Sequence, residues 1–394
     1  MILMSFGLIL IGGLILGKIS SLVKLPPILG MIIAGIILGP STLNWIDPSL
    51  LELSPTLKKL ALFIILLRAG LSLNVHEIRH LGVTTLYLTI IPALFEIAAY
   101  TFLGYTILSL SLLEAALLGS VIAAVSPAII VPRMIDILTK PYNPKIPQLL
   151  ISASSLDDIL VIIIFTSLLS LNLGESLATS QEISHLLFSI VYGILAGWGI
   201  SMLFNTVNKH RFIHQQTKFI LLLATVAIIG TAEYLLPFAF SGLLAIMSLG
   251  ITLSQQWKEH TKNTFQSLWK VAEIWLFVLV GAQLSLTSLV NHSFIFILII
   301  IAALFIRLLG VFLALRRADF TNKEKLYCAF SYIPKATVQA SIGSLALEAG
   351  LIAGELILTI AILAILITAP LGAFLMDTFR DSLLSSDTTP TKSE

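Results

Sequence analysis

The chain has 394 residues, of which 57% are hydrophobic and 11% charged, with a net charge of +2. Ordinary soluble domains carry roughly 25% charged residues, so this excess of apolar surface excludes one soluble core, and the near balance of charge excludes a nucleic-acid surface. The single cysteine, Cys328, excludes an intramolecular disulfide.

Apolar runs of about 20 residues, the length a helix needs to cross ~30 Å of hydrocarbon, recur along the whole sequence. Thirteen are counted, at 3–19, 24–39, 57–74, 84–108, 113–135, 147–172, 183–206, 217–235, 238–256, 268–286, 293–315, 324–350 and 355–378. An all-α membrane protein of thirteen transmembrane helices is therefore predicted. The first run has no basic stretch before it and no small-residue cleavage site after it, so it reads as a retained helix.

After the third segment comes a literal H-E-x-x-H, His76-Glu77-Ile78-Arg79-His80. That signature raises an intramembrane zinc metalloprotease as a remote alternative. The motif falls in a short loop, outside the depth where such a protease needs its metal. The fourth segment holds one charge, Glu96, and the eleventh holds Arg307; an ion pair between them is expected, with a structural role.

The fifth segment reads AAVSPAIIVPRM. Pro127 and Pro132 remove two backbone donors and free the carbonyls four residues earlier, at Ala123 and Ala128, while Ser126 adds a hydroxyl. In the twelfth segment, SYIPKATVQASIG, Pro334 is followed by Lys335. Both segments are predicted to be discontinuous helices. Irregular backbone at membrane depth is tolerated where it is buried in protein or lines a watery cavity. Lys335 is expected near the carbonyl ends of the broken helices, where partial negative charge collects.

Asp157 and Asp158 lie mid-segment in SASSLDDILVIII. A charged residue at that depth costs roughly 2.5–3.5 kcal/mol on insertion scales, and no structural need for two is evident. Adjacent helical residues point about 100° apart, so one carboxylate can face the crossing of the broken helices while the other faces a neighbour. Ser154 and Ser155 share the face of Asp158. Carboxylate, hydroxyl and freed carbonyl oxygens are hard ligands suited to an alkali cation. Two neighbouring carboxylates in a poorly solvated site titrate as a coupled unit, and a cation and a proton would compete for them. Arg68, Glu233 and Glu273, nearer segment ends, read as side chains snorkelling to the interface. The terminal SSDTTPTKSE reads as a disordered end.

A shift of 211 residues superposes Pro26 on Pro237, Gly30 on Ser241, Gly39 on Gly250, Gly70 on Gly281 and Glu96 on Arg307. Two six-helix repeats follow, at about 3–172 and 217–378, with 183–206 as a linker helix. An odd linker starts the second copy from the opposite face, so the repeats are inverted, with the fifth and twelfth helices crossing at the midplane. One transmembrane domain, 1–378, is then followed by a cytoplasmic tail, 379–394. Eighteen loop and tail lysines and arginines fall on one side against Lys58 and Lys59 on the other, placing the N-terminus outside and the C-terminus in the cytoplasm.

The phrases RAGLSLN (68–74), AAVSPAIIVPRM (123–134), SSLDDIL (154–160), FSGLLAIMSLG (240–250) and YIPKATVQASIG (332–343) resemble the cation:proton antiporter superfamily. The likeness is greatest to its NHA-type sodium/proton exchanger branch, with NapA-like bacterial antiporters next. The resemblance implies exchange of Na+ or Li+ for H+ by alternating access, with an elevator-like core, a homodimer in the inner membrane among lipid, no cofactor, and no metal beyond the transported cation. Residue by residue, it places the principal cation and proton carboxylate on Asp158, its partner on Asp157, and the buried acid and base on Glu96 and Arg307. NapA-like proteins carry a lysine where this chain has Arg307. Arginine holds its proton far more tightly, which favours one proton per cation. A potassium/proton antiporter or channel-like efflux protein of the same fold is the alternative; the sequence has no TVGYG filter.

Overall fold

Helices carry apolar runs through lipid with every backbone group paired inside the segment. The computed structural model describes residues 1–72, 82–173, 180–207, 214–232, 235, 240–284 and 286–385, and it has no strand among them. The helices are α1 (Ile2–Leu22), α2 (Pro27–Leu38), α3 (Pro48–Ser72), α4 (Val83–Ile107), α5 (Leu112–Ala123), α6 (Pro127–Leu138), α7 (Lys145–Leu173) and α8 (Ser180–Val207). They continue as α9 (Gln215–Ala232), α10 (Gly242–Thr252), α11 (Gln255–Ala282), α12 (Leu286–Ala314), α13 (Asn322–Ser331), α14 (Thr337–Gly343), α15 (Leu345–Glu348) and α16 (Gly354–Leu383). Eight spans among the described residues are long and apolar enough to cross a membrane. His76, His80, Glu233 and Pro237 lie outside the described residues.

Two helix starts differ most from the hydropathy reading. α3 begins at Pro48 rather than near 57. α11 begins at Gln255 rather than 268, and its polar first half buries Trp257, Thr261, Phe265 and Trp269 along one face. Their spacing of four is a helical stripe that average hydropathy hides beneath Lys258, Glu259 and Lys262.

The helices pack as two interleaved groups. One comprises α1–α3 and α8–α11, the other α4–α7 and α12–α16, with dense packing inside each and sparse packing between them. In the first group α2 crosses α11, and a Cβ on Gly35 would lie 2.0 Å from the Val278 carbonyl oxygen. α3 likewise crosses α10, where a Cβ on Gly70 would lie 2.6 Å from the Met247 carbonyl oxygen. Only glycine permits such backbone approach. α2 shifted by 211 residues overlaps α10, and α3 so shifted overlaps α11.

Lys58, at the edge of the third apolar segment and counted with the loop charges for orientation, is 1% exposed within α3. Its Nζ lies 2.7 Å from Glu348 on α15 and donates to Gln283 Oε1 at 2.7 Å. This pair ties the first group to the second, whereas the ion pairs of the helix breaks stay within the second. Glu348→Ala would strand the buried ammonium, but Lys58→Met would leave a carboxylate that is 17% exposed and can reach water. Glu348→Ala is therefore expected to lower the detergent melting temperature more, by the equivalent of about 1–3 kcal/mol, in a thermal-shift measurement.

Candidate functional site

The two proline-bearing segments are broken, not kinked. α5 ends at Ala123, Ala124 is extended (φ −64°, ψ 141°), and Pro127 opens α6 at a first-turn position where its missing N–H costs nothing. Pro127 thus starts a helix, and Pro132 lies inside it. In the other segment α13 stops at Ser331, and α14 begins at Thr337. Pro334 lies between them, and a Cβ on Gly372 of α16 would come within 2.4 Å of its ring. The breaks touch: Ser126 N–H donates to the Pro334 carbonyl at 2.9 Å.

Charges collect around this contact. Arg307 Nη1 pairs with Glu96 Oε2 and also donates to the Ala123 carbonyl. Its Nε donates to the Tyr332 carbonyl at 3.0 Å, so one guanidinium serves the exposed carbonyls of both breaks. Its carbon lies 5.3 Å from the Tyr332 ring centre, a cation–π distance. Lys335 Nζ lies 2.6 Å from the same Glu96 Oε2 and 3.4 Å from the Ala123 carbonyl. Arg307 is 0% exposed, Glu96 and Lys335 1% each. The expected pair and the expected crossover lysine are therefore one triad, with a single carboxylate between two cations. The Ala123 carbonyl, expected to be free for a cation, is occupied by both of them, and positive groups there would repel one.

α7 presents the aspartates to the same region. Asp157 Oδ2 accepts from Val125 N–H at 2.7 Å and lies 3.7 Å from Arg307 Nη2. Asp158 has no ion pair among the described residues, and its Oδ1 is buried without a hydrogen-bond partner among them. Asp157 Oδ1 and Ser126 Oγ are buried and unpartnered in the same sense. Ser154 and Ser155 both donate to the Ile151 carbonyl, at 3.2 and 2.9 Å, which leaves only their lone pairs to offer. Three carboxylates thus face two fixed cations. Glu96 is matched twice and Asp157 by one guanidinium and one amide, whereas Asp158 is the carboxyl of the three without a cationic partner among the described residues.

Gln339, on α14 and fully buried, was not singled out from the sequence. Its Nε2 donates to the Ala124 carbonyl at 2.6 Å and to that of Ile122 at 3.2 Å, and its Oε1 accepts from Ala336 N–H at 2.8 Å. Its sequence signal, an uncharged carboxamide with Lys335, Thr337 and Ser341 close by, was weaker than that of Glu96. Thr368 also escaped notice; its hydroxyl accepts from Lys335 N–H at 3.0 Å. Arg68 and Glu273 are half-buried on α3 and α11 and interact electrostatically with each other, a relation that the snorkelling reading had not foreseen.

Residues 6–377 match the family model "Sodium/hydrogen exchanger, transmembrane". The chain is 32% identical over 422 residues to sodium/hydrogen exchanger 9B1 of Homo sapiens, covering 98% of this chain and 79% of the relative. To sodium/hydrogen exchanger 9B2 of Mus musculus it is 31% identical over 420 residues, covering 99% and 75%. Among solved structures, the sodium proton antiporter MjNhaP1 from Methanocaldococcus jannaschii superposes with a TM-score of 0.82 at 23% identity, covering 97% of this chain and 99% of that one.

Proposed function

The chain belongs to the sodium/hydrogen exchanger family, a multi-pass membrane protein, and from that premise we propose that it exchanges Na+ or Li+ for H+ at Asp158. The observation that carries this reading is that the buried carboxyl of Asp158 has no ion-pair partner among the described residues, while Glu96, Asp157, Arg307 and Lys335 each have one. A buried carboxylate needs a counter-charge. A proton or an alkali cation would supply it, and the two would exclude each other. Asp157 Oδ1 and Ser126 Oγ, buried without hydrogen-bond partners among the described residues, are candidates for further cation ligands, as are the lone pairs of Ser154 and Ser155. Asp157 is the secondary carboxylate, and Lys335, Arg307 and Glu96 hold the crossover together.

The finer architecture proposed is thirteen crossings in two inverted repeats, an N-terminus outside, a cytoplasmic C-terminus, and a homodimer in the inner membrane. Two observations support the repeat: the paired glycine crossings, and the meeting of Glu96 with Arg307, which sit at equivalent positions 211 residues apart. Sparse packing between the two helix groups supports alternating access by sliding of α4–α7 and α12–α16 past the rest. Family membership favours this reading over a zinc protease or a channel.

One unmatched carboxylate carries one proton or one monovalent cation, so exchange is expected to be electroneutral. In proteoliposomes, a potassium/valinomycin diffusion potential of either sign should leave the initial rate of Na+-driven proton movement unchanged. A rate that changes with the potential, in opposite senses for its two signs, would require a second proton on Asp157 or Lys335.

A further inference from the structure

We infer that Gln339 is a positioning residue for exchange: by closing both helix breaks it fixes the peptide plane between Ala124 and Val125, and through that plane the carboxylate of Asp157. The inference rests on the exchange reading above. Carbonyl oxygens only accept and N–H groups only donate, so three contacts with two carbonyls and one N–H fix the orientation of the carboxamide. Nε2 holds the Ala124 carbonyl at 2.6 Å, and the N–H across that same peptide bond, on Val125, donates to Asp157 Oδ2 at 2.7 Å. The peptide unit is planar, so holding its oxygen aims its hydrogen. A hydrogen bond accepted at the carbonyl also polarises the unit and strengthens the bond donated from its nitrogen.

The other end of the side chain matters equally. Oε1 accepts from Ala336 N–H, in the break before α14. Gln339 therefore joins the end of α5 to the start of α14, and Asp157 receives a hydrogen bond whose direction depends on both. Arg307 reaches the Ala123 carbonyl, one peptide earlier, so it does not duplicate this control. No other donor to the Ala124 carbonyl is found among the described residues.

The test is Gln339→Met in proteoliposomes, with apparent KM and Vmax measured for Na+ and Li+. Misdirecting the hydrogen bond from Val125 N–H to the Asp157 carboxylate corresponds to a rise in KM of roughly tenfold or more, with Vmax within about twofold. The ratio of Na+ to Li+ affinity should shift too, because the geometry of the site changes and not only the amount of folded protein. In an Asp157→Asn background, sodium-dependent thermal stabilisation should be insensitive to Gln339→Met. An undiminished effect there overturns the route through Asp157. A lower Vmax and melting temperature with unchanged KM would show a merely structural side chain. Should Gln339→Met fail to fold, Gln339→Asn keeps the carboxamide but is one methylene too short to span both breaks, and the same KM rise is expected. Asp158→Asn in parallel vesicles separates the two levels. If it still exchanges, the functional reading itself fails; if it is inactive while Gln339→Met has a normal KM, only this inference fails.

Discussion

Asp158→Asn is expected to abolish Na+-dependent proton movement while leaving a folded protein. The substitution keeps the volume of the side chain, so no cavity forms. Asp158 Oδ1 has no hydrogen-bond partner among the described residues, so none is lost there either. What disappears is the unmatched charge. In this variant the cluster would hold two carboxylates, Glu96 and Asp157, against Arg307 and Lys335, and would be neutral with nothing bound. The position without a cationic partner then has no carboxylate for a cation or a proton to neutralise. Since burying an unpaired charge is costly, the variant should melt at or above the temperature of the parent. In reconstituted vesicles carrying a pH-sensitive dye, the Na+ response should fall to that of empty liposomes. Retention of half the parent rate would move the exchange chemistry to another residue. Asp157→Asn should be milder in transport but less stable, because it weakens the attraction to Arg307 and the bond from Val125 N–H.

Much of the site was legible because charges are scarce in this sequence. Glu96, Asp157, Asp158, Arg307 and Lys335 each interrupt an apolar run, and ion pairs join Glu96, Asp157, Arg307 and Lys335 beside the contact of the two breaks, with Asp158 next in sequence to Asp157 on α7. Their connectivity was not legible. Sequence offset pairs Glu96 with Arg307, but only the structure shows Lys335 on the same carboxylate oxygen. The freed carbonyls were misjudged for a related reason. Proline identifies which carbonyls lose their helical partner, yet it is silent about which side chains arrive instead, and here Arg307, Lys335 and Gln339 take Ala123, Ala124 and Ile122. For the fold, hydropathy located the apolar centres well and the polar helix starts poorly. α3 and α11 both extend beyond their apolar centres, where Lys58 and Lys258 are buried despite their charge. Grouping α1–α3 with α8–α11 had no sequence signal beyond the small residues at 35, 70 and 250, which mark close crossings only once the partner helix is known.

The triad sets the second large effect, and it changes what a double mutant should do. For an isolated buried pair, removing one partner costs about 3–5 kcal/mol, and replacing both by apolar residues can restore most of it. Glu96, however, lies between two cations. Glu96→Gln alone should lower the melting temperature sharply, because Arg307 and Lys335 then face each other with only Asp157 nearby. Adding Arg307→Met would not repair this: Lys335 would remain, Asp157 would lose its guanidinium, and the Tyr332 carbonyl would lose the donor it now has. Adding Lys335→Met instead leaves one cation against Asp157, with Arg307 still donating to the carbonyls of both breaks. Glu96→Gln with Lys335→Met is therefore expected to recover much more stability than Glu96→Gln with Arg307→Met. Thermal shift of both doubles and their component single mutants in one detergent measures the order. Equal recovery would mean that the carbonyl contacts of Arg307 contribute little, and additive losses in both doubles would mean that the three side chains do not act as a unit.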